Sequence, residues 1–407
     1  MKVWVKLLIG SILGIILGVL LPENQPVREG LVWLEQFALR IGRYAVIPML
    51  VFSLTIGIYE LRQEGQFWPL VLKNCLIIAG ISILVIFAGV LTMLVFPPAR
   101  IPILAEEQLE MIKLDIGGGI QELFPYNMFS VFAGDGAYLF PVCVFAFFFG
   151  IGLSYDRNYS KPVITLIDSL SHIFNNIASL FIEMLGFVMI VLSCYWAVRF
   201  RETLRADVFL DLILLLGIFA AVLGFGILPL LLYFMKPKVN IWAVLYGSLG
   251  PAIAAFFSGD IHFSLPVLLK QTRENLGVQR KSNTVSLALF STFCRAGSAM
   301  VATIAFIVIF KSYSSLGITP MEVLSISVRA FAISFLLARH PGDGAYTALA
   351  VLCLGYGKGF EAGYLILKPL AFYLIAIGAF LDVMIASFGT YAAARLSGFV
   401  DEKRPEG

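Results

Sequence analysis

Apolar runs recur along the chain, and each is long enough to cross a lipid bilayer. A transmembrane helix needs about 20 consecutive apolar residues. The first run, residues 1–21, carries Lys2 and Lys6 near its start and has an uninterrupted apolar body. No small-residue cleavage motif follows it, so this run predicts a first transmembrane helix and not a cleaved signal peptide. Further runs of this kind predict spans at residues 31–60, 67–96, 126–155, 165–198 and 207–235.

A polar interval separates the third predicted span from the fourth. Residues 97–125 contain Pro-Pro, Gly-Gly-Gly and a small acidic cluster. Proline, glycine and charged residues together are typical of a loop, so the segment is predicted to be an extramembranous loop. The acidic cluster consists of Glu106, Glu107, Glu110 and Asp115.

The pattern changes after the sixth predicted span. Residues 240–257 are apolar, and a Ser-Gly-Asp sequence that ends at Asp260 then stops the run. Only nine residues separate Asp260 from Lys270, and a helix of that length cannot cross a hydrocarbon core of about 30 Å. Short apolar arms around a Gly/Asp tip predict a re-entrant helical hairpin. A full span at residues 283–310 follows, and a polar patch at residues 294–298 interrupts it.

The same plan occurs a second time. An apolar arm (323–338), a Pro-Gly-Asp-Gly tip (341–344) and a short return arm (345–355) precede another full span (363–394), which carries a predicted polar break at Asp382. The distance from the tip aspartate to the polar break is 38 residues in the first unit and 39 in the second. Broken helices at matching places in two repeats point to the binding site of a transporter.

Composition supports a membrane protein. The 407 residues are 59% hydrophobic and 14% charged, with a mean hydropathy of +0.91, whereas soluble chains are near half apolar and a quarter charged. A net charge of +3 without a basic stripe argues against a nucleic-acid partner. The five cysteines are scattered without metal-ligand spacing, which argues against a disulfide scaffold.

Lysine and arginine in the loops indicate the orientation. With the N-terminus inside, fifteen of these residues fall on the inner side and nine on the outer side, and cytoplasmic loops carry the excess. The sequence therefore predicts both termini in the cytoplasm of a multi-pass protein of the cell inner membrane or plasma membrane. The first hairpin then enters from the cytoplasm and the second from outside.

Short motifs occur in a fixed order from the second predicted span to the eighth. They are Ile47-Pro48-Met49-Leu50-Val51-Phe52, Asn127-Met128-Phe129, Leu265-Pro266, Gly297-Ser298, Pro341-Gly342-Asp343-Gly344 and Phe380-Leu381-Asp382. In order and spacing they resemble the dicarboxylate/amino acid:cation symporters, the glutamate transporter family, over nearly the whole chain. The resemblance implies an all-α polytopic membrane protein with eight transmembrane helices, two re-entrant helical hairpins and inverted repeats. It also implies a homotrimer and an elevator mechanism.

The resemblance further implies a scaffold and a transport domain that slides past it. Residues 1–96 hold the first three spans, of which two belong to the scaffold and the third to the transport domain. Residues 97–125 are the loop, and residues 126–206 hold spans 4 and 5 of the scaffold. Residues 207–235 form span 6 of the transport domain, and residues 236–407 form the transport core with the substrate site.

The chain departs from the family at several functional positions. The family's seventh-span motif Asn-Met-Asp-Gly-Thr reads Cys294-Arg295-Ala296-Gly297-Ser298 here, and its serine-rich first tip reads Gly259-Asp260-Ile261-His262. The resemblance places Asp382 on the aspartate that holds the substrate's amino group, and Ile385 where acidic-substrate members have an arginine. The positions that the resemblance assigns to sodium are Cys294, Ala296, Gly389 and Ala393. Sodium independence is predicted because three oxygen-bearing side chains of the family are missing from these positions.

Two charged residues stand inside predicted spans. A carboxylate within a long apolar span is costly unless it is paired or faces water. Asp382 is therefore either a structural partner of Arg295 or a ligand for a substrate ammonium group. Arg295 cannot lose its proton, and its permanent charge beside a lost aspartate is predicted to replace a bound cation.

The hairpin tips contain two of the three histidines of the chain, His262 and His340. A histidine can change its charge near neutral pH, so proton coupling together with Asp260 and Asp343 is one interpretation. The other is that the tips face water and tolerate polar residues.

The predicted substrate site combines these residues with the remaining tip positions, and no metal or cofactor is expected in it. Its residues are Asp382, Arg295, Ser298, Asp260, Ile261, His262, Pro341, Gly342, Asp343, Gly344, Ile385 and Gly389. Arg40 and Arg43 are predicted to anchor the second span in the scaffold and not to be site residues.

These features predict a secondary active transporter or exchanger of a small amino acid or dicarboxylate, similar to glutamate or aspartate. The alternatives are a proton- or sodium-coupled symporter of the same substrates, and an anion channel or uniporter. An enzyme is not predicted, because the His-Glu-x-x-His and Gly-x-Ser-x-Gly motifs do not occur. The expected partners are a small-molecule substrate, protons, membrane lipids and further copies of the chain in a homotrimer.

Overall fold

The computed structural model describes residues 2–22, 24–96, 101, 121–134, 136–204, 207–235, 240–313, 319–357 and 359–401. These residues form helices joined by turns and contain no β-strand, only an isolated bridge between Val278 and Val400. Nine helical segments among them are long and apolar enough to cross a membrane. The predicted acidic cluster and most of the predicted loop at 97–125 lie outside the described residues.

The chain begins with four helices, Val3–Leu20 (α1), Gln25–Arg43 (α2), Val46–Gln63 (α3) and Phe67–Val95 (α4). The first matches the first predicted span. The predicted second span, residues 31–60, is wrong in its bounds, because α2 and α3 together run from residue 25 to residue 63 with a turn at Tyr44 and Ala45. Pro48 accounts for this turn, since its nitrogen cannot donate a hydrogen bond to the carbonyl group of Tyr44.

The predicted fourth span, residues 126–155, is also wrong. The segment forms a six-residue 3₁₀ turn, Met128–Ala133, and a 14-residue helix, Phe140–Leu153 (α5). A helix of that length rises about 21 Å and cannot cross a hydrocarbon core of about 30 Å. Gly136, with φ of 76°, and Pro141 at the start of α5 divide the apolar run in two.

The next helix, Arg157–Leu204 (α6), has 48 residues and extends beyond both ends of the predicted span at 165–198. It packs along α1 through glycines spaced four apart on α1: Gly10, Gly14 and Gly18. An added Cβ at any of them would collide with the backbone of α6. Small residues at this spacing let two membrane helices approach closely.

The predicted sixth span contains a short π-helical turn. Leu210–Val222 (α7) leads into the π turn at Leu223–Ile227, and Leu228–Met235 (α8) follows. Pro229, near the start of α8, has no N–H to continue a regular α-helical ladder. The chain accommodates it by widening the preceding turn, in which Leu228 donates to the carbonyl of Leu223.

The second half of the chain consists of interrupted helices. They are Ile241–Ser258 (α9), Ile261–Glu274 (α10), Arg280–Phe293 (α11), Ala296–Tyr313 (α12), Pro320–Leu336 (α13), Gly344–Tyr356 (α14) and Ala371–Leu396 (α15). The pairs α9/α10 and α13/α14 cover the residues of the two predicted hairpins, and the chain leaves helical geometry at both predicted tips. The polar patch at residues 294–298 also coincides with a helix break, between α11 and α12.

The predicted break at Asp382 does not occur. Asp382 lies inside α15, which continues without interruption for 26 residues. The two units are therefore alike in their hairpins but differ in the helix that follows. The carboxylate of Asp382 is bound by Arg295, in the break before α12, and by Ser298 of α12, so the backbone of α15 does not need to open.

The core of the molecule is built around α12 and α15. Nearly every side chain of both helices is buried, and α15 packs against α4, α9, α11, α12 and α14. In contrast, α1, α4 and α7 expose large apolar side chains such as Leu20, Phe87 and Leu214. Helices that face lipid require such apolar outer faces. The polar side chains of the interrupted helices lie at the centre of the molecule instead.

Candidate functional site

A buried ion pair joins the break between α11 and α12 to the middle of α15. The Nε atom of Arg295 donates to Oδ2 of Asp382 at 2.8 Å. The same oxygen accepts from Oγ of Ser298 at 2.6 Å, and the backbone N–H of Ser298 donates to Oδ1 at 3.0 Å. The side chain of Arg295 is 1% exposed and that of Asp382 is 0% exposed. The structure thus brings together three of the predicted site residues.

The helix break explains how the carboxylate of Asp382 is held. The first N–H groups of a helix have no partner inside the helix, and a helix N-terminus favours an anion. Because α12 begins at Ala296, the N–H of Ser298 is one of these free donors. Gly297 permits the approach, since an added Cβ there would lie 2.8 Å from the backbone nitrogen of Asp382.

Arg295 also contacts the second hairpin tip. Its Nη2 atom donates to the carbonyl oxygens of His340 and Pro341 at 3.3 and 3.2 Å. Gly344 leaves room for this guanidinium, because an added Cβ would overlap Nη2. The third nitrogen, Nη1, is buried and has no hydrogen-bond partner among the described residues.

The polar side chains of the second tip interact mainly with each other. Nδ1 of His340 lies 3.3 Å from Oδ1 of Asp343, and Oγ1 of Thr347 donates to Oδ2 of Asp343 at 3.0 Å. The side chain of Asp343 is about half exposed. The tip therefore presents its backbone carbonyls to Arg295 and its carboxylate to the outside.

The first tip is held by residues outside the hairpin. Asp260 accepts from the backbone N–H of His262 at 2.8 Å and so caps α10, and it accepts from Nε of Arg43 at 2.5 Å. Nδ1 of His262 lies 3.2 Å from the carbonyl oxygen of Gly136. Among the described residues, no hydrogen bond links Asp260, His262 or the buried Ile261 to the Arg295–Asp382 pair.

The two tips nevertheless lie next to each other. An added Cβ at Gly259 would be 3.7 Å from the carbonyl oxygen of Gly342. Gly259 has φ of 66°, a conformation that favours glycine. The predicted site residues of both hairpins therefore surround one region, which Arg295 joins to Asp382 of α15 and in which Gly259 lies against Ile375 of the same helix.

The positions that the resemblance assigned to sodium are buried and offer no side-chain oxygen. They are Cys294, Ala296, Gly389 and Ala393. An added Cβ at Gly389 would overlap the ring of Phe290, which occupies the space beside this glycine. Ile385, where acidic-substrate members have an arginine, is fully buried as well.

Arg43, which was predicted to anchor the second span and not to be a site residue, lies beside predicted site residues of both tips. Its guanidinium is paired with Asp260, and an added Cβ at Gly342 would lie 3.4 Å from its Nη2. In the sequence, the feature that could have indicated a buried contact of Arg43 is its position directly before a buried apolar segment. Sequence alone could not indicate the partner, which is 217 residues away.

The fold and this site define a multi-pass helical membrane protein whose centre is an interrupted helix joined to a continuous one by a buried ion pair. The family model of the sodium:dicarboxylate symporter family matches residues 3–396. The chain belongs to this family, which is one of transporters and not of enzymes. The resemblance seen in the sequence motifs is thereby confirmed.

Individual relatives are distant. The chain is 22% identical over 370 residues to the proton/sodium-glutamate symport protein of Bacillus subtilis (strain 168), a match covering 85% of this chain and 82% of that protein. It is 29% identical over 139 residues to the neutral amino acid transporter A of Homo sapiens, covering 33% of this chain and 26% of that protein. It is 29% identical over 126 residues to the excitatory amino acid transporter 1 of Rattus norvegicus, covering 31% of this chain and 23% of that protein.

Proposed function

We propose that the protein is a secondary transporter or exchanger that moves a small amino acid or dicarboxylate across a membrane without sodium. The observation that carries the proposal is the buried pair of Arg295 and Asp382. It lies where α12, α15 and the second hairpin tip meet, and it leaves Nη1 of Arg295 without a partner among the described residues.

The unpartnered nitrogen supports a substrate that carries a carboxylate. A buried donor without an acceptor is costly, and a guanidinium forms strong charge-assisted hydrogen bonds to carboxylates. Nη1 of Arg295 would therefore bind one carboxylate of an amino acid or of a dicarboxylate. An ionised carboxylate has about four acceptor positions, and Asp382 uses three of them, so one remains for a substrate ammonium group.

Sodium independence is supported by the residues that replace the family's ion ligands. Hard cations require several oxygen ligands, usually including a carboxylate, and none of the four positions carries a side-chain oxygen. The ring of Phe290 occupies the space beside Gly389. Arg295 supplies a permanent positive charge next to Asp382, where a mobile cation would otherwise neutralise this carboxylate.

The remaining parts of the proposal follow the family resemblance. The α9/α10 and α13/α14 pairs are re-entrant hairpins, both termini are cytoplasmic, and three copies of the chain assemble into a trimer. The transport unit consists of α4, α7, α8 and the interrupted helices α9–α15, and it slides past a scaffold of α1–α3, α5 and α6. Proton coupling, as the alternative to uncoupled exchange, would use the tip residues Asp260, His262, His340 and Asp343. The other predicted substrate-binding residues are Ser298, Ile261, Pro341, Gly342, Gly344, Ile385 and Gly389.

The test is uptake and counterflow of labelled glutamate, aspartate and succinate in proteoliposomes, with sodium or with choline as the only added cation. We expect saturable counterflow of at least one substrate at equal rates in both salts. Arg295→Met should lose this activity, whereas Arg329→Met, which removes an exposed arginine of α13, should retain it. Counterflow that requires sodium in a saturable way would contradict the proposal, and current without counterflow would favour an anion channel.

A further inference from the structure

A second buried ion pair connects the N-terminal helices to the first hairpin. Nε of Arg43, the last residue of α2, lies 2.5 Å from Oδ2 of Asp260, and the side chains are 20% and 0% exposed. Among the described residues, Oδ2 of Asp260 accepts a hydrogen bond from Arg43 alone, while Oδ1 caps α10. A fully buried carboxylate requires a partner, and Arg43 supplies it from a different part of the chain.

The surfaces next to this pair fit closely. Gly42 lies against the ring of Phe263, and an added Cβ at residue 42 would overlap that ring. Ala38 of α2 and Val267 of α10 belong to the same buried apolar cluster as Phe263. The end of α2 therefore packs closely against the start of α10, and the ion pair lies at the edge of this contact.

Arg43 also faces the second tip. Its Nη2 atom would be 3.4 Å from an added Cβ at Gly342, whose carbonyl group lies next to Gly259 of the first tip. The second tip is thus placed between two guanidinium groups. Arg295 binds its backbone carbonyls from the inside, and Arg43 lies against it from the side of α2.

We propose that Arg43 is a positioning residue for the transport site. The ion pair between Arg43 and Asp260 holds the first hairpin tip against α2. This pair breaks whenever the hairpin moves away from α2. The inference rests on the proposed function, because that proposal places α2 and α10 in units that move past each other. Since Asp260 also caps α10, movement of this residue carries Ile261 and His262 with it.

The test removes both charges together and leaves the cap intact. In Arg43→Gln/Asp260→Asn neither side leaves an unpaired buried charge, and asparagine caps a helix about as well as aspartate. The reporter is Ala38→Cys, in the buried apolar cluster that α2 shares with the first hairpin, in a Cys75→Ser/Cys143→Ser background that removes the exposed and the partly exposed native thiols. The rate of maleimide labelling of the purified protein then measures how often the hairpin leaves α2.

We expect Arg43→Gln/Asp260→Asn to increase the labelling rate on the order of tenfold. Removal of the interaction between two contacting residues can change a conformational equilibrium by this factor. The control is Arg28→Gln/Glu202→Gln, which removes an ion pair from the same helix α2 to α6, outside both hairpins. This control should label at the wild-type rate. Equal rates for the neutral pair, the control and the wild type would overturn the proposal.

Melting temperature checks that each variant is folded. If the double variant does not fold, Arg43→Lys retains the charge and should keep labelling slow, and fast labelling in this variant would overturn a role for the charge pair. Labelling does not depend on transport. Absence of substrate counterflow in the wild type would therefore refute the proposed function, while an unchanged labelling rate refutes the role of Arg43.

Discussion

A permanent charge in the middle of a membrane protein has to be neutralised locally, and Arg295 shows how this chain does so. The sequence left two roles open for Asp382, as a partner of Arg295 or as a ligand for substrate. The structure shows the pair, and Asp382 accepts three hydrogen bonds from Arg295 and Ser298. Sequence could not show this geometry because the two residues are 87 positions apart and meet only through the break before α12.

Loss of one partner of this pair should destabilise the protein more than loss of both. Asp382→Asn leaves Arg295 buried and uncompensated, which costs about 3–5 kcal/mol. Arg295→Met/Asp382→Asn removes both charges and should recover much of the melting temperature. We expect neither variant to show a ligand-induced thermal shift. A double variant that still gains stability from glutamate or succinate would exclude the pair from the binding site.

Gly344 should be required for contact between Arg295 and the second tip. Gly344→Ala places a methyl group on Nη2 of Arg295 and should weaken ligand binding by about tenfold, the effect of losing roughly 1.4 kcal/mol. Gly355→Ala is the matched control in the same helix, because an added Cβ there meets nothing within 4 Å. Alanine is favoured over glycine inside a helix, so the control should be neutral or slightly stabilising. Equal affinities of the two variants would contradict the role given to Gly344.

At the scale of the helices, sequence patterns predicted the breaks that have a local cause. Gly259 ends α9 in a left-handed conformation that glycine favours, and Pro341 disfavours helical geometry in the residue before it. The chain therefore leaves helical geometry at both predicted tips. The break at Tyr44 was missed because its cause, Pro48, lies four residues further on within an apolar run. The expected break at Asp382 was wrong because a neighbouring helix satisfies this side chain, which is a tertiary effect.

Gly10, Gly14 and Gly18 form a seam of close contact between α1 and α6. This seam can be tested in the same way. Gly14→Leu would overlap the backbone of Ile190 and the side chain of Ser193. Overpacking of this kind costs about 1–3 kcal/mol, so the melting temperature in detergent should fall. Gly80→Leu adds the same side chain to the open, exposed side of α4 and should leave the melting temperature unchanged. A similar decrease in both variants would mean that the seam is not a close contact.

At the scale of the whole molecule, two groups of ion pairs join the N-terminal helices to the second half of the chain. Arg43 binds Asp260 of the first tip, and Arg280 of α11 binds Asp168 of α6 at 2.6 Å and Glu60 of α3 at 3.3 Å. A cavity of about 130 Å³ beside Arg280 is lined by side chains of α3, α6, α10 and α11. Ion pairs and an incompletely packed cavity suit a surface that separates and re-forms, as the proposed movement requires.

The guanidinium of Arg295 is part of the chain, so it remains with the carrier in every step of the proposed cycle. A carrier that closes on sodium uses the sodium gradient to concentrate its substrate. Without sodium or a proton partner, a carrier closed by its own arginine lets the substrate run down its own electrochemical gradient. A negative cell interior drives an anion outward by about 2.3 kcal/mol per charge for each 100 mV. If no proton moves with the substrate, the proposed carrier would export or exchange an anionic substrate and would not accumulate it.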